Sequence, residues 1–227
     1  MNKMIKILLS VMIVSLSALI VPLEGHSECI ETDPVAAQAI EAKSIGNNIS
    51  EFVEEIPLSI NFEIDTVIEE MNQKMAEIEI IEDRKEWFVA YKNIIDEYSY
   101  IIDPPETIYD YFCSKELDLL FHVVQAEIGD RYSFEQKVNV ANVIFNRLDH
   151  ERFPDTLLEI LTPDQFSTIS SGSYEKVEVS DITILACEYA FQFDDTTEGC
   201  LFFDSNGALK YEYVYNDGAH NFYKLRE

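Results

Sequence analysis

Apolar residues recur every three or four positions over two stretches of the chain before residue 103. The first stretch holds Ile64, Ile68, Met71, Met75 and Ile78, and the second holds Phe88, Tyr91, Ile95, Tyr98 and Ile102. This spacing predicts an amphipathic helix in each stretch, with one apolar face. Two arrangements stay open: one long helix over residues 64–102 that acts as a stalk or joins copies of the chain, or a hairpin of two helices packed on the rest of the molecule.

Two consecutive prolines, Pro104 and Pro105, end this helical pattern. Proline cannot continue a helix, and it biases the preceding residue towards extended backbone. We therefore expect a boundary between an acidic, mostly helical segment at 28–105 and a C-terminal domain at 106–227. The N-terminal segment is expected to be dispensable for catalysis and to matter for where the C-terminal domain is placed.

The C-terminal domain shows four helical patterns followed by two short strand patterns. The helices are expected to begin near Ser114, Ser133, Thr156 and Ser180, residue types that are favoured at helix N-termini. Residues 201–203 predict a buried strand, and the alternation of Tyr211, Tyr213 and Tyr215 predicts a half-exposed one. The predicted fold class is α+β, mostly helical with a small late β-sheet.

The first 27 residues have the pattern of a secretory signal peptide. Lys3 and Lys6 precede an apolar run at 7–23, and the small residues Gly25 and Ser27 follow it. An uncleaved membrane anchor is the alternative, because the run is only slightly short for a membrane span. Either way, we expect an exported protein that is secreted or held at the cell wall or cell surface.

Charge and cysteine content exclude several partners. Acidic residues outnumber basic ones by 43 to 16, which gives a formal net charge of −27 at pH 7. Such a field repels nucleic acid and anionic membranes, so neither is expected as a partner. The four cysteines match no zinc-ligand spacing and leave three full disulfide pairings open. Cys187 and Cys200 occur in apolar segments and are expected to be buried.

Glu127 is the strongest candidate for chemistry. It follows Val124 on the apolar face of the helix that Ser114 is predicted to cap, and Gly129 offers a left-handed stop just beyond it. A carboxyl group at the negative end of a helix dipole and against the core should have a raised pKa. A carboxylic acid that stays neutral can act as a general acid. The alternative is a solvent-exposed glutamate at the edge of the helix, with no role in chemistry.

Several short motifs occur in a fixed order over residues 115–224. They are Ala126-Glu127, Asn146-Arg147, Phe153-Pro154-Asp155-Thr156, Gln165-Phe166-Ser167, Leu201-Phe202-Phe203 and Gly218-Ala219-His220-Asn221-Phe222-Tyr223. In order and spacing this region resembles the cell wall hydrolase family of the SleB and CwlJ spore-cortex-lytic type. The resemblance says nothing about residues 28–105.

The resemblance implies a lysozyme-like fold and cleavage of the glycan strands of peptidoglycan. It places the catalytic glutamate at Glu127, and it implies a lytic transglycosylase that uses one carboxyl group as acid and then as base. Many family members read Ala-Glu-Ala-Arg-Gly-Glu where this chain reads Ala-Glu-Ile-Gly-Asp-Arg at 126–131. Substrate preference, and cortex specificity above all, therefore transfers less directly than the catalytic role.

Four further residues are candidates for substrate contact. Gln165, Ser167 and His220 occupy family positions near the cleft, and Tyr174 lies in a Ser/Gly-rich loop where its ring could stack on a sugar. Each also has a structural interpretation: capping the loop for Gln165 and Ser167, and fixing the C-terminal turn for His220. Asn146-Arg147 is expected to secure a helix junction, where the arginine could hold a buried carboxylate.

Other classes of protein remain as alternatives. A hydrolytic muramidase or glucosaminidase would need a second carboxylate, for which the candidates are Asp130, Glu135 and Asp164; Asp130 is expected instead to raise the pKa of Glu127. A cysteine peptidase would pair Cys187 or Cys200 with His220, and a zinc amidase would use His122, His150, His220 and Glu127. A non-catalytic surface scaffold that works through its N-terminal helices is the rival from another class. We expect no metal and no organic cofactor in the chemistry.

Overall fold

The computed structural model describes residues 58–226, with side chains from residue 64 onwards. The predicted signal peptide at 1–27, its alternative as an anchor, and residues 28–57 lie outside the described residues. In the described part of the chain, no helix is both long enough and apolar enough to cross a membrane.

Two helices form a hairpin at the start of the described region. Helix α1 spans Leu58–Ile78 and helix α2 spans Arg84–Tyr98, and the two helices contact each other. Asp83 caps α2 by accepting the Glu86 N–H at 2.8 Å. The hairpin arrangement is therefore confirmed and the single long helix is not formed.

The hairpin packs on the C-terminal domain through aromatic rings of α2. Phe88 is fully buried, and its ring meets those of Tyr189 and Phe193 edge-on at centroid distances of 5.3 and 5.5 Å. Lys92 forms an ion pair with Glu188, whose carboxylate also accepts the Tyr109 hydroxyl at 2.8 Å. The described part of the N-terminal segment thus shares a core with the domain that follows it.

The C-terminal domain is built around one buried helix. Its elements are α3 at Ile108–Tyr111, α4 at Ser114–Ile128, α5 at Phe134–Leu148, α6 at Leu157–Ile160, α7 at Ser167–Ser170, a 3₁₀ helix at Tyr174–Lys176 and α8 at Asp181–Gln192. Helix α5 lies at the centre, with Val138, Val140 and Ile144 fully buried, and packs against α4 and α8. Short helices α3 and α7 were not predicted from the sequence.

Both ends of α4 have a clear local cause. Ser114 is the first helical residue and Cys113 takes the cap position, so the predicted N-cap is wrong by one residue. The Cys113 N–H donates to Glu116 Oε2 at 3.1 Å, which supplies the capping contact from within the first turn. At the other end Gly129 adopts a φ of +59°, which favours glycine, and its N–H bonds to the Gln125 carbonyl at 2.8 Å.

Three short antiparallel strands form the sheet. They are β1 at Phe202–Asp204, β2 at Glu212–Asn216 and β3 at Asn221–Lys224, in the order β1-β3-β2. The sequence predicted the first two, whereas the central strand β3 was expected only to close the domain. Phe222 of β3 is fully buried in a small cluster with Val143 of α5 and Cys200. The α+β class, mostly helical with a small late sheet, is confirmed.

Candidate active site

A cavity of about 300 Å³ lies between the end of α4, the end of α5 and the β-sheet. Its walls are formed by Glu127, Arg147, Gln165, Phe166, Ser167, Phe203, Asp204, Ser205, Asn206 and His220. Four candidates from three separate parts of the sequence therefore share one cavity, namely Glu127, Gln165, Ser167 and His220. Tyr174 is not among the lining residues; its hydroxyl donates to Glu175 Oε1 at 3.1 Å on the 3₁₀ helix.

The Glu127 carboxyl group is held by hydrogen bonds from Thr168 of the neighbouring short helix. The Thr168 hydroxyl donates to Oε1 of Glu127 at 2.7 Å. Burial raises the pKa of Glu127, while the bonds from Thr168 and the charge of Arg147 act in the opposite direction. Burial is the larger effect, so the direction agrees with the sequence-based expectation. The side chain is a partly buried acid in a cavity rather than one on an open helix face.

Arg147 enters the cavity from the last turn of α5. Its guanidinium lies among the rings of Phe153, Phe166 and Phe202, at 5.3, 5.0 and 5.5 Å from their centroids. Nε donates to the Leu201 carbonyl at 2.8 Å, whereas Nη1 has no hydrogen-bond partner among the described residues. Burial lowers the pKa of Arg147 to about 10, which still leaves it cationic at neutral pH.

The adjoining Asn146 fastens the same helix end to the chain before β1. Its Nδ2 donates to the Cys200 carbonyl at 3.0 Å and to the Thr197 hydroxyl at 3.0 Å. Together with the Arg147 bond, this confirms that Asn146-Arg147 secures a junction between α5 and the sheet.

His220 faces the cavity from the turn before β3. Its backbone N–H donates to Asp217 Oδ1 at 2.8 Å, and its ring packs edge-on against Phe203 at 4.9 Å. Only 7% of the residue is exposed, and Nδ1 has no partner within the described region. Burial lowers the pKa of His220, with Asp217 and Asp204 opposing the shift. The turn is therefore fixed through backbone and Asp217, which leaves the neutral ring available to the cavity.

Comparison with protein families identifies the region that carries most of this cavity. Residues 132–224 match the model of the family described as Cell Wall Hydrolase. This region is similar to the Cell Wall Hydrolase family. The resemblance drawn from the motifs is thereby confirmed, and it supports a role in breaking down cell wall. The match begins after Glu127, so the role of that residue rests on the geometry of the cavity.

Two solved structures are similar to the chain. One is the catalytic domain of the germination-specific lytic transglycosylase SleB from Bacillus anthracis, at 19% identity, 52% coverage of this chain, 100% coverage of that chain and a TM-score of 0.46. The other is the catalytic domain of the SleB protein from Bacillus cereus, at 21% identity and a TM-score of 0.45. That match covers 50% of this chain and 92% of the Bacillus cereus chain. No curated protein matches the chain.

Within the Cell Wall Hydrolase region, Asp204 is a cavity residue that the sequence analysis missed. Its carboxylate accepts the N–H groups of Gly207, Ala208 and Leu209 at 2.9, 2.6 and 3.1 Å, and the Tyr223 hydroxyl at 2.9 Å. Burial works against ionisation, but these donors outweigh it and lower the pKa of Asp204. The Asp-Ser-Asn-Gly sequence at 204–207 was the available signal, since such runs form turns.

The carboxylates proposed from the sequence as a second acid do not line this cavity. Asp130, Glu135 and Asp164 are all absent from its walls. Asp130 accepts bonds from Gln125 Nε2 at 2.9 Å and Ser180 Oγ at 2.8 Å, and these bonds lower its own pKa. It does not contribute to the raised pKa of Glu127, so that expectation is corrected.

The geometry gives no support to the zinc or thiol alternatives. His122 and His150 do not line the Glu127 cavity, and the described residues hold no group of three His, Cys, Asp or Glu side chains able to hold a metal ion. Cys187 and Cys200 are free and buried, as expected, and burial raises the pKa of both thiols. A buried thiol with a raised pKa is a poor nucleophile.

Proposed function

We propose that this protein is an exported peptidoglycan lytic enzyme that cleaves glycan strands between N-acetylmuramic acid and N-acetylglucosamine. The observation that carries the proposal is the Glu127 carboxyl group, which lines a cavity, has a raised pKa and is oriented by Thr168. The Cell Wall Hydrolase match over the other walls of the cavity supports the choice of substrate.

In the first step Glu127 acts as the general acid. Its proton passes to the glycosidic oxygen as the bond from that oxygen to C1 of N-acetylmuramic acid breaks, so the leaving sugar departs with a free hydroxyl group. The Thr168 hydroxyl donates to Oε1 and so fixes the orientation of the carboxyl group for this transfer. Glu127 is ionised at the end of this step.

In the second step the Glu127 carboxylate acts as the base. It takes the proton of the C6 hydroxyl of the same N-acetylmuramic acid as that oxygen bonds to C1. The product is a 1,6-anhydro end, no water is consumed, and Glu127 regains its starting protonation state. One carboxyl group therefore completes the cycle, in contrast to the two used by ordinary glycosidases.

A hydrolytic muramidase is the second candidate, because Asp204 is an ionised carboxylate in the same cavity. Its oxygens are, however, already engaged by the backbone of 207–209 and by Tyr223. These bonds hold the loop that forms one wall of the cavity, which leaves little capacity for activating water. We therefore favour the single-carboxyl mechanism over hydrolysis.

The remaining cavity residues are proposed to bind the sugars. Gln165 and Ser167 offer an amide and a hydroxyl beside Glu127, and His220 offers a neutral ring nitrogen. Tyr174 lies outside these walls and is proposed as a stacking contact for a more distant sugar. The substrate is the glycan strand itself, with no cofactor, and the enzyme acts outside the cell at the wall or cell surface.

The test is product analysis after digestion of sacculi by the full chain. Mass spectrometry should find anhydromuramic ends; reducing ends carrying one added water would support hydrolysis, and released stem peptides would reject glycan cleavage. Glu127→Gln should lower the rate on the order of 10³-fold, because it removes the general acid. The exposed Glu151→Gln is the matched control and should keep full activity. Absence of cleavage by a folded wild-type chain would favour the non-catalytic scaffold.

A further inference from the structure

Arg147 is a buried cation that has no carboxylate at hydrogen-bond distance within the described part of the chain, residues 64–226. It is 4% exposed and lines the cavity beside Glu127. Removing a charge from water is costly unless hydrogen bonds or an opposite charge compensate for it. The three surrounding rings and the Leu201 carbonyl compensate in part, but Nη1 has no partner among residues 64–226.

Glu127 is the only described carboxylate that acts on the charge of Arg147; the other charged influence on it is the phenol of Tyr211. Conversely, Arg147 is the only described cation that acts on Glu127. The two side chains enter one cavity from different helices, α4 and α5, yet the hydrogen bonds that Glu127 accepts come from Thr168. Glu127 is therefore bonded to Thr168 rather than to Arg147, although both side chains line the same cavity.

The other titratable groups around Glu127 do not provide a counter-charge. Asp204 and His220 share the cavity, but the first is an anion and burial keeps the second neutral at pH 7. Apart from Arg147, the titratable groups of the elements that pack against α4 do not line the cavity. They are Glu135 and Lys137 of α5, Glu159 of α6, Tyr174, Glu175 and Lys176 of the 3₁₀ helix, and Asp181, Cys187, Glu188 and Tyr189 of α8. Asp130, on the loop that follows α4, is also outside it. Helix α7 carries no titratable side chain.

We propose that Arg147 is a positioning residue that receives the Glu127 carboxylate through Nη1 each time Glu127 becomes ionised. Glu127 then has two hydrogen-bonded positions. The neutral acid accepts from Thr168 and presents its proton to the glycosidic oxygen, and the carboxylate formed by proton transfer keeps a Thr168 bond on one oxygen while the other oxygen turns towards Arg147. The pairing lowers the energy of the ionised state and holds the carboxylate near the C6 hydroxyl that it must deprotonate.

This proposal rests on the proposed role of Glu127, but its first test requires no glycan cleavage. NMR titration of the full chain should show the guanidinium signals of Arg147 shifting with the same midpoint as the Glu127 carboxyl carbon. In Glu127→Gln, which keeps the side-chain shape and removes the titration, the Arg147 shift should vanish. The proposal is overturned if the Arg147 chemical shift does not change as Glu127 titrates, or if it changes equally in Glu127→Gln. This outcome does not depend on the identity of the substrate.

The second test uses the pH dependence of kcat/KM. Arg147→Gln keeps an amide donor for the Leu201 carbonyl and removes the charge. Since that charge lowers the pKa of Glu127, its loss should move the basic limb of the profile to higher pH. We also expect kcat to fall on the order of 100-fold, as for other losses of transition-state charge stabilisation. Arg147→Lys should restore part of both effects.

A matched control is Lys137→Met, which removes another buried cation of the same helix. It should leave the basic limb in place. If Arg147→Gln lowers activity while the basic limb stays at the wild-type pH, Arg147 is a structural residue only and the proposal fails. If that variant does not fold, the NMR comparison of wild type and Glu127→Gln still decides between the two outcomes.

Discussion

Helix α5 buries two cations ten positions apart, and their surroundings differ sharply. Lys137 Nζ donates to the Thr183 hydroxyl at 2.8 Å and lies 3.5 Å from an Asp130 oxygen. Gln125 completes this cluster, since its amide donates to Asp130 at 2.9 Å and its carbonyl oxygen accepts from Ser180 Oγ at 3.1 Å. Arg147 has Nη1 without a partner in the described part of the chain.

The difference separates two uses of buried polar groups. The Lys137 cluster joins α4, α5 and α8 through bonds that are already complete, so its contribution is to the stability and position of those helices. At the other end of α5, Arg147 Nη1 has no hydrogen-bond partner among the described residues, and the Glu127 carboxyl group lines the same cavity. An unsatisfied buried donor is costly in a folded protein, so its presence beside Glu127 points to a group that is formed or bound during function.

The largest effect is expected from removing the hairpin, whose second helix packs on α8 through Phe88 and also contacts α5. A chain that begins at residue 106 loses Phe88, whose ring packs on Tyr189 and Phe193, and Tyr189 in turn packs on Phe134. Loss of such a buried aromatic ring alone costs about 3–5 kcal/mol, so thermal unfolding should shift to a much lower temperature. The molecules that stay folded should keep their kcat on soluble glycan fragments, because none of the described residues 64–105 lines the cavity.

The point variants Phe88→Ala and Val89→Ala test the packing of the hairpin in a chain of full length. Phe88 is fully buried, whereas Val89 is 40% exposed on the same helix, so only the first should lower stability strongly. Equal unfolding temperatures for the two variants would show that the hairpin does not complete the core. In that case the sequence-based prediction of a separable segment at 28–105 would gain support.

A smaller effect is expected from Lys137→Met, which tests the hydrogen-bonded Lys137 cluster directly. The variant keeps the aliphatic length of the side chain and loses the bond to Thr183. Leaving a buried hydroxyl network without its donor costs about 1–3 kcal/mol, measurable as a lower free energy of unfolding in urea. A fall in kcat without any loss of stability would contradict the assignment of a structural role to Lys137 and a functional role to Arg147.

The smallest effect concerns His220, whose Nδ1 also has no hydrogen-bond partner among the described residues. Burial lowers its pKa below that of an unfolded chain, so the folded state resists protonation. Stability that is present above pH 6.5 should therefore be lost as the pH falls through the acidic range. His220→Gln should flatten this pH dependence of the unfolding temperature relative to wild type. Identical curves for both proteins would show that the ring is not held neutral by the fold.

The sequence predicted the parts of the site that depend on local patterns. The apolar stripe and Gly129 predicted where α4 ends, and the ordered motifs brought Gln165 and His220 to the same cavity as Glu127. Thr168 was missed because its role depends on α7 lying against α4, a long-range contact without a local signal. Strand β3 was missed for a similar reason, since it is a strand only because β1 and β2 pair on both its sides.

The loop after β1 has a consequence for how this enzyme can be altered. The Asp204 carboxylate sets the path of the loop through the backbone N–H groups of 207–209, and not through the side chains of Ser205 and Asn206. Those two side chains nevertheless line the cavity. Shape and chemistry of this wall are thus encoded by different residues. Residues 205 and 206 are therefore suitable positions for library design, because their side chains can be varied while the Asp204 bonds that shape the loop are kept.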